Sequence, residues 1–263
     1  MAGVREGHLE RLLEPFEKRI KGAEDRKVYD QFFDNRTLMN VYALMNSGVV
    51  ETVDFPVATG KEGGVFKCSS SEGEAVAMKI YRISNATFKS LARYTEGDIH
   101  FSGLKGSFSK TIYAWAKREF LNLARLREAG ASVPYPIACR GNVIVMSYLG
   151  TERGPAPLIR NCALTEKQAE EYYRQVMQFI DVAYRKANIV HADLSEYNVM
   201  VHEKKAYVID CGQAVSSRHP GAQEYLLRDL RNVSRFFRSR GATVHEPSAV
   251  LKKLTGEKKI AVS

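Results

Sequence analysis

The sequence predicts an α+β chain of two lobes, a small antiparallel sheet followed by a mainly helical half. Three observations carry that expectation. Four short, β-branched runs lie before residue 150, each bounded by Gly, Ser or Asn. A Pro/Gly-rich link, Arg153-Gly-Pro-Ala-Pro157, follows them. Beyond it the hydrophobic period lengthens to that of long amphipathic helices.

In chain order, residues 8–22 read as a charged helix ending near Gly22. A second helix runs from about 37 to 46, where Leu38, Val41, Tyr42 and Met45 recur at helical spacing and Ser47-Gly48 supplies the stop. The strand-like runs are 49–57, 64–68, 75–81 and 142–148. Between the last two lie a polar stretch at about 84–110, expected as a flexible loop, and a strong helical pattern at 111–129. After the link come a helix at about 165–187, a short hairpin near 199–210 and a helix at about 221–240. The expected organisation is therefore a helical extension (1–48), a sheet lobe with its loop (49–149) and a helical lobe ending in a basic helix (150–263).

Hydrophobic residues make up 44% and charged residues 26% of the 263, which excludes collagen-like, disordered and disulfide-scaffold classes. Cys68, Cys139, Cys162 and Cys211 form no CxxC pair and no zinc-like cluster with His, as expected of a reducing cytosol. The first residues hold no apolar signal core, and no apolar run reaches the ~20 residues of a membrane span. A soluble, cytoplasmic protein with no membrane partner is the expectation. The formal charge is +9, and ten Lys/Arg against four Asp/Glu lie between Arg218 and Ser263. Such an excess suits a phosphate-rich partner, though many basic proteins are merely soluble.

The strongest chemical signal is His191-Ala-Asp193-Leu-Ser-Glu-Tyr-Asn198, followed by Val208-Ile209-Asp210-Cys211-Gly212. Phosphoryl transfer asks a protein for a positioned acceptor, metal ions and charge neutralisation rather than covalent help. Asp193 can accept a hydrogen bond from an attacking hydroxyl. Asn198 and Asp210 supply the hard oxygens that Mg2+ takes alongside nucleotide phosphates. Each piece alone is equally a turn with capping Asp and Asn; the full pattern is not.

The pattern His-x-Asp-x4-Asn then Asp-x-Gly resembles the catalytic and metal-binding segments of the protein-kinase-like fold. The words HADLSEYN and IDCGQAV are similar to those of the RIO family of atypical protein kinases, its first subfamily best. The resemblance implies a two-lobed kinase-like fold with a truncated helical lobe. It also implies an atypical serine/threonine kinase or ATPase using ATP with Mg2+ or Mn2+, serine autophosphorylation, and a role in small ribosomal subunit maturation. Asp210, as the family's metal ligand, becomes a candidate for a transient aspartyl-phosphate.

By the same resemblance Val76-Ala77-Met78-Lys79 is the strand that carries the phosphate-neutralising lysine, Lys79. Glu119 is its expected partner, with Glu128 among the alternatives. Ala58-Thr59-Gly60-Lys61-Glu62-Gly63-Gly64-Val65-Phe66 is the phosphate-covering loop, its extra glycines expected to loosen it. Lys61 and Glu62 belong to that loop. Val65 and Ala77 are expected to line the adenine, and both are also plausible plain strand core. Met146 stands at the gatekeeper position, with the Ser147 carbonyl and Leu149 amide bonding the adenine edge.

The 53 residues after Asp210 contain no Ala-Pro-Glu word and no long activation segment. That argues against a conventional peptide platform, and against a small-molecule kinase of the aminoglycoside or choline type. An RNA-binding pseudokinase is disfavoured because Lys79, Asp193, Asn198 and Asp210 are all present. In the loop, Ser107 or Ser109 is the candidate autophosphorylation site. Arg228, Arg231, Arg235 and Arg238 line one helical face opposite Leu226, Leu230, Val233 and Phe237. That face either contacts rRNA phosphates or is simply solvated. Lys252, Lys253, Lys258 and Lys259 are expected in a flexible tail; DNA is not an expected partner.

Overall fold

A computed structural model describes residues 32–83 and 108–256 of the chain. The expected helix at 8–22, Ser107 with most of its loop, and Lys258 and Lys259 lie outside the described residues. The chain divides into two compact units. The described parts of the first are 32–83, 108–117 and 137–148; those of the second are 118–136 and 149–256.

In the first unit, helix α1 (Asn35–Asn46) begins where extended Asp34 accepts the Thr37 N–H at 2.8 Å, satisfying one orphan donor of the first turn. Its buried residues Thr37, Val41 and Leu44 are four and three apart, so a single stripe is covered. The sheet runs β1 (Thr52–Thr59), β2 (Gly63–Ser69), β3 (Ala75–Tyr81), β5 (Val143–Ser147), β4 (Pro136–Arg140) in spatial order. Phe66, Cys68, Val76, Met78, Ile80, Val143 and Val145 pack with Val41, Leu44 and Phe32 into one core. Alternation then sends the residues between them to the opposite face. Register places Val65 across from Lys79, Lys79 across from Ile144, and Ala77 across from Met146.

Strand β4 was not expected, because its mixed Pro-Ile-Ala-Cys-Arg composition lacks a β-branched run. The turn after it is set by close approach: a β-carbon on Gly141 (φ +56°) would lie 2.1 Å from Asn40 Nδ2. Buried Asn142 donates to Thr37 Oγ1 and to the Tyr81 carbonyl, both at 2.8 Å, and accepts from Asn40 at 3.0 Å. One amide thus ties α1 to two strands.

Helix α2 (Phe108–Glu128) begins in the first unit and continues into the second. Its early start corrects the expected loop end: Ser109 and Lys110 are helical, and Ser109 accepts a hydrogen bond from Arg36. In the second unit, α3 (Glu166–Arg185) opens with a capping box in which Thr165 and Gln168 satisfy each other's backbone. Its buried stripe, including Tyr173, Val176, Phe179 and Ile180, meets α4 (Ala222–Ser239) through the Tyr173 and Phe237 rings, 5.7 Å apart. Strands β6 (Gly150–Thr151) and β7 (Gly154–Pro155) form a ribbon at the link. β8 (Ile189–Val190) pairs with β11 (Val215–Ser216), and β9 (Val199–His202) with β10 (Lys205–Val208). A last helix, α5 (Pro247–Gly256), buries Leu254 and corrects the expected flexible tail at Lys252 and Lys253. Among the described residues no helix is long and apolar enough to cross a membrane.

Candidate active site

The loop from His191 to Asn198 starts where β8 ends, and its backbone is not relaxed. Ala192 sits at φ +65°, a left-handed conformation that costs a β-carbon-bearing residue about 1–2 kcal/mol. Helix α4 holds it there. The two carboxylate oxygens of Asp229 accept the Ala192 N–H at 2.8 Å and the Leu194 N–H at 3.0 Å. Arg228 donates to the Ala192 carbonyl, and Asn232 to the Leu194 carbonyl at 3.3 Å. Asp229 is 1% exposed, and burial raises its pKa to about 7 against the pull of those two N–H groups and Arg228.

The loop is also tied to the segment that carries Asp210. His191 Nε2 lies 3.1 Å from the Ile209 carbonyl, so that nitrogen bears the proton, and Ile209 N–H donates to the Asn198 carbonyl at 3.0 Å. Asp210 itself is left-handed (φ +61°, ψ +64°) and leads into a 3-10 turn, Cys211–Gln213. Asn198 Nδ2 donates to the Asp193 carbonyl at 2.8 Å and to Asp193 Oδ2 at 3.3 Å. Burial raises the Asp193 pKa; His191 opposes it, the Asp210 carboxylate adds to it, and Asn198 and Arg228 pull back. Asp193, Asn198 and Asp210 are therefore brought together as the motif spacing implied.

These groups fit a divalent ion of magnesium type. The Asp210 carboxylate and the Asn198 amide oxygen are hard donors. Among the described residues no group of three or more His, Cys, Asp or Glu could enclose a metal. Mg2+ takes such oxygen donors and completes its shell with water and phosphate oxygens.

Helix α2 supplies a second set of anchors that the motifs did not reveal. Arg118 donates to the Ala214 carbonyl at 2.6 Å, and Asn122 to the Cys211 carbonyl at 3.2 Å. Both are buried, at 3% and 8% exposure, and they lie one turn apart. Arg125 continues that face with a 2.8 Å bond to the Ala187 carbonyl. Glu119, beside Arg118, is 1% exposed. Asp229, Arg118 and Asn122 were missed because they act on backbone far away in sequence. Asp229 did leave a trace: it is an acid three residues after Leu226 and four before Val233, inside an apolar stripe.

In the first unit, Val65, Ala77, Lys79 and Met146 share the sheet face opposite α1. Lys79 is half-buried with Nζ 4.9 Å from the Tyr81 ring centroid. Ser147 ends the same strand as Met146. Lys61 and Glu62 are exposed in the β1–β2 turn, which Gly60 N–H closes onto the Gly63 carbonyl at 2.9 Å. The glycines that follow are not loosening elements. Gly63 and Gly64 lie inside β2, and a β-carbon on Gly63 would stand 2.5 Å from the Ile80 carbonyl oxygen. Leu149 and Glu119 belong to the second unit, and the Leu149 carbonyl accepts from Ala156 at 2.9 Å. The arginine face also needs correcting: Arg228 turns into the His191–Asn198 loop, while Arg231, Arg235 and Arg238 are exposed.

Comparison with known proteins gives the family and the fold. The family model of the RIO domain matches residues 64–249. The human serine/threonine-protein kinase RIO1 is 40% identical over 221 residues, 83% of this chain and 39% of that protein. The Caenorhabditis elegans RIO1 kinase is 38% identical over 86% of this chain and 45% of its own length, so the chain spans less than half of either. The RIO-type serine/threonine-protein kinase Rio1 of Haloferax volcanii is 38% identical over 89% of this chain and 79% of its own. The solved Rio2 kinase of Chaetomium thermophilum has the same fold, with a TM-score of 0.65 at 24% identity over 84% of this chain and 68% of that one. Its ADP/Mg2+-phosphoaspartate complex gives 0.64 at 22% identity, over 82% and 66%. The left-handed Asp210, the pinned Asp193 loop and these matches lead to one assignment: the chain belongs to the RIO domain family.

Proposed function

We propose that the chain is an ATP- and Mg2+-dependent phosphotransferase, an atypical serine/threonine kinase and ATPase of RIO type. The observation that supports this most is the Asp193–Asn198–Asp210 group, held by hydrogen bonds from α4 and α2. Asp193 accepts the proton of the attacking hydroxyl, and its burial keeps the carboxylate basic enough to do so. Asn198 and Asp210 hold Mg2+, which when bound neutralises phosphate charge and screens the approach of the nucleophile. Lys79 takes the phosphates, with Lys61 and Glu62 in the covering turn, and Glu119 is a further candidate of the nucleotide site. Val65 and Ala77 flank the adenine, Met146 closes the pocket behind it, and the Ser147 carbonyl with the Leu149 amide bonds its edge.

Two outcomes share this machinery. In one, a serine hydroxyl of the chain or of a substrate protein attacks the γ-phosphorus, ADP leaves, and Asp193 takes the proton. In the other, Asp210 itself attacks; an Asp210 Oδ–P bond forms as the bond to ADP breaks, and water later hydrolyses the acyl phosphate. The solved Rio2 kinase complex of Chaetomium thermophilum is an ADP/Mg2+-phosphoaspartate complex. The cellular partner is the maturing small ribosomal subunit in the cytoplasm, with Arg231, Arg235 and Arg238 against rRNA phosphates, a contact that weakens with salt.

The test is incubation with γ-labelled ATP and Mg2+, comparing the chain with Asp193→Ala, Asp210→Ala and Lys79→Ala. Label release and self-labelling should fall at least a hundredfold in each. Hydroxylamine-labile label separates the acyl phosphate from phosphoserine. Unchanged turnover in all three variants overturns the enzymatic reading.

A further inference from the structure

The loop that carries Asp193 also bears part of a basic, aromatic surface that none of the steps above uses. Tyr197 sits in the loop between Asp193 and Asn198 yet is 53% exposed, while Ala192 and Leu194 of the same loop are fully buried. The guanidinium of Arg160 covers its ring at 4.2 Å from the centroid. Arg160 is exposed and belongs to the 3-10 turn Ile159–Asn161, next to Leu158, which bridges to Met200 of β9. Arg240, the residue that caps α4, donates to the Arg160 carbonyl at 3.4 Å and lies over the Phe236 ring at 5.3 Å.

Among the described residues, Arg160 and Arg240 enter no ion pair. From Tyr225 to His245 the one acid is Asp229, and its carboxylate is spent on the Ala192 and Leu194 N–H groups. Glu166 approaches Gly241 without bonding Arg240. One guanidinium stacked on an exposed ring, with a second on its own carbonyl, matches carboxylate and phosphate-ester groups, which can take two parallel N–H bonds.

We propose that Arg160, Tyr197 and Arg240 form the acceptor-side docking surface of the Asp193 loop, and that it selects protein segments carrying an acidic or phosphorylated residue near the acceptor hydroxyl. This inference rests on the phosphotransferase reading for the word acceptor, but the surface can be tested by binding alone. Arginines at this place favour an anionic peptide over a neutral one because a guanidinium pairs with carboxylate and phosphate groups. The arginine–tyrosine stack prepays part of the ordering of Arg160.

The experiment uses the full chain and fluorescent serine peptides of equal length, flanked by glutamate, by phosphoserine, by alanine or by lysine, with oligouridylate as a separate probe. Anisotropy gives the affinities, and nucleotide affinity is measured in parallel to show intact folding. The expected result is tighter binding of the acidic or phosphorylated peptide than of the alanine and lysine peptides. That preference should weaken about fivefold in Arg160→Gln/Arg240→Gln, with partial retention in the double lysine variant. The glutamate and phosphoserine arms show which anion the surface prefers. Equal binding of all four peptides overturns the proposal. So does oligouridylate binding that needs these two arginines while the acidic peptides bind no better than alanine; the surface is then a nucleic-acid contact. If acidic peptides bind through the arginines but no label transfer occurs under any condition, the docking surface stands and the phosphotransferase reading falls.

Discussion

The two units place their candidate residues by different physical means. In the first, Val65, Ala77, Lys79 and Met146 reach one face because strand register and two-residue alternation put them there. In the second, Asp193 and Asp210 lie on irregular backbone, next to or within left-handed residues, and distant side chains hold the chain in place. Asp229 is 37 residues from the Ala192 N–H it accepts, and Arg118 is 96 from its carbonyl. A ladder of repeated weak bonds spreads its load over many residues, whereas a strained loop concentrates it on a few buried polar groups. Damage to the second unit's anchors should therefore exceed damage to the first unit's positioned residues.

The sharpest way to break that contrast is Asp229→Ala. Two buried N–H groups lose their acceptor, so unfolding free energy should fall by about 3–4 kcal/mol and label transfer should disappear. A urea midpoint equal to wild type would remove Asp229 from its anchoring role. Arg118→Met comes next, at about 2–3 kcal/mol, because it leaves the buried Ala214 carbonyl without its charged donor. Asp210 should then hold metal less well, read as a higher Mg2+ concentration for half-maximal activity. In the first unit, the largest effect belongs to Gly63→Ala, where the new β-carbon meets backbone 2.5 Å away. The strands must part locally, costing about 2 kcal/mol by urea titration.

The same carboxylate can also be read through pH. The Asp229 pKa of about 7 in the folded chain lies above its ordinary 3.8, so the folded state binds that proton more tightly than the unfolded one. Stability from this group is complete below the unfolded value and is lost as pH rises through the folded one. The stability of wild type relative to Asp229→Asn should decline between about pH 4 and 7, and a flat difference would contradict it. Smallest of all is Lys79→Met, a half-buried sheet residue whose removal should change stability by no more than about 0.5 kcal/mol while nucleotide affinity collapses.

Much of this was legible in the residues. The strand at Ala75–Tyr81 was read to the residue, and the long helices of the second unit to within two, because period and caps are local properties. Asp193, Asn198 and Asp210 were legible as one group because their spacing is itself the signal. Strand β4 was not, since its pairing with β5 rather than its composition makes it a strand. The helical state of Lys252 and Lys253 was hidden for a like reason: Leu254 finds a buried place only once the fold exists.

By itself the sequence determined which residues are candidates for the chemistry and which elements bear them, because motif spacing and hydrophobic period act over a few residues. Only the tertiary structure decided how those residues are held. A glycine pair read as a loose loop lies in β2, where a β-carbon on Gly63 would meet the Ile80 carbonyl, and an arginine read as part of an exposed stripe turns inward to the Ala192 carbonyl. Asp229, silent in every motif, carries two N–H groups of the loop that positions Asp193. Buried polar groups must find partners wherever the folded chain brings them, and that choice is made in space rather than along the sequence.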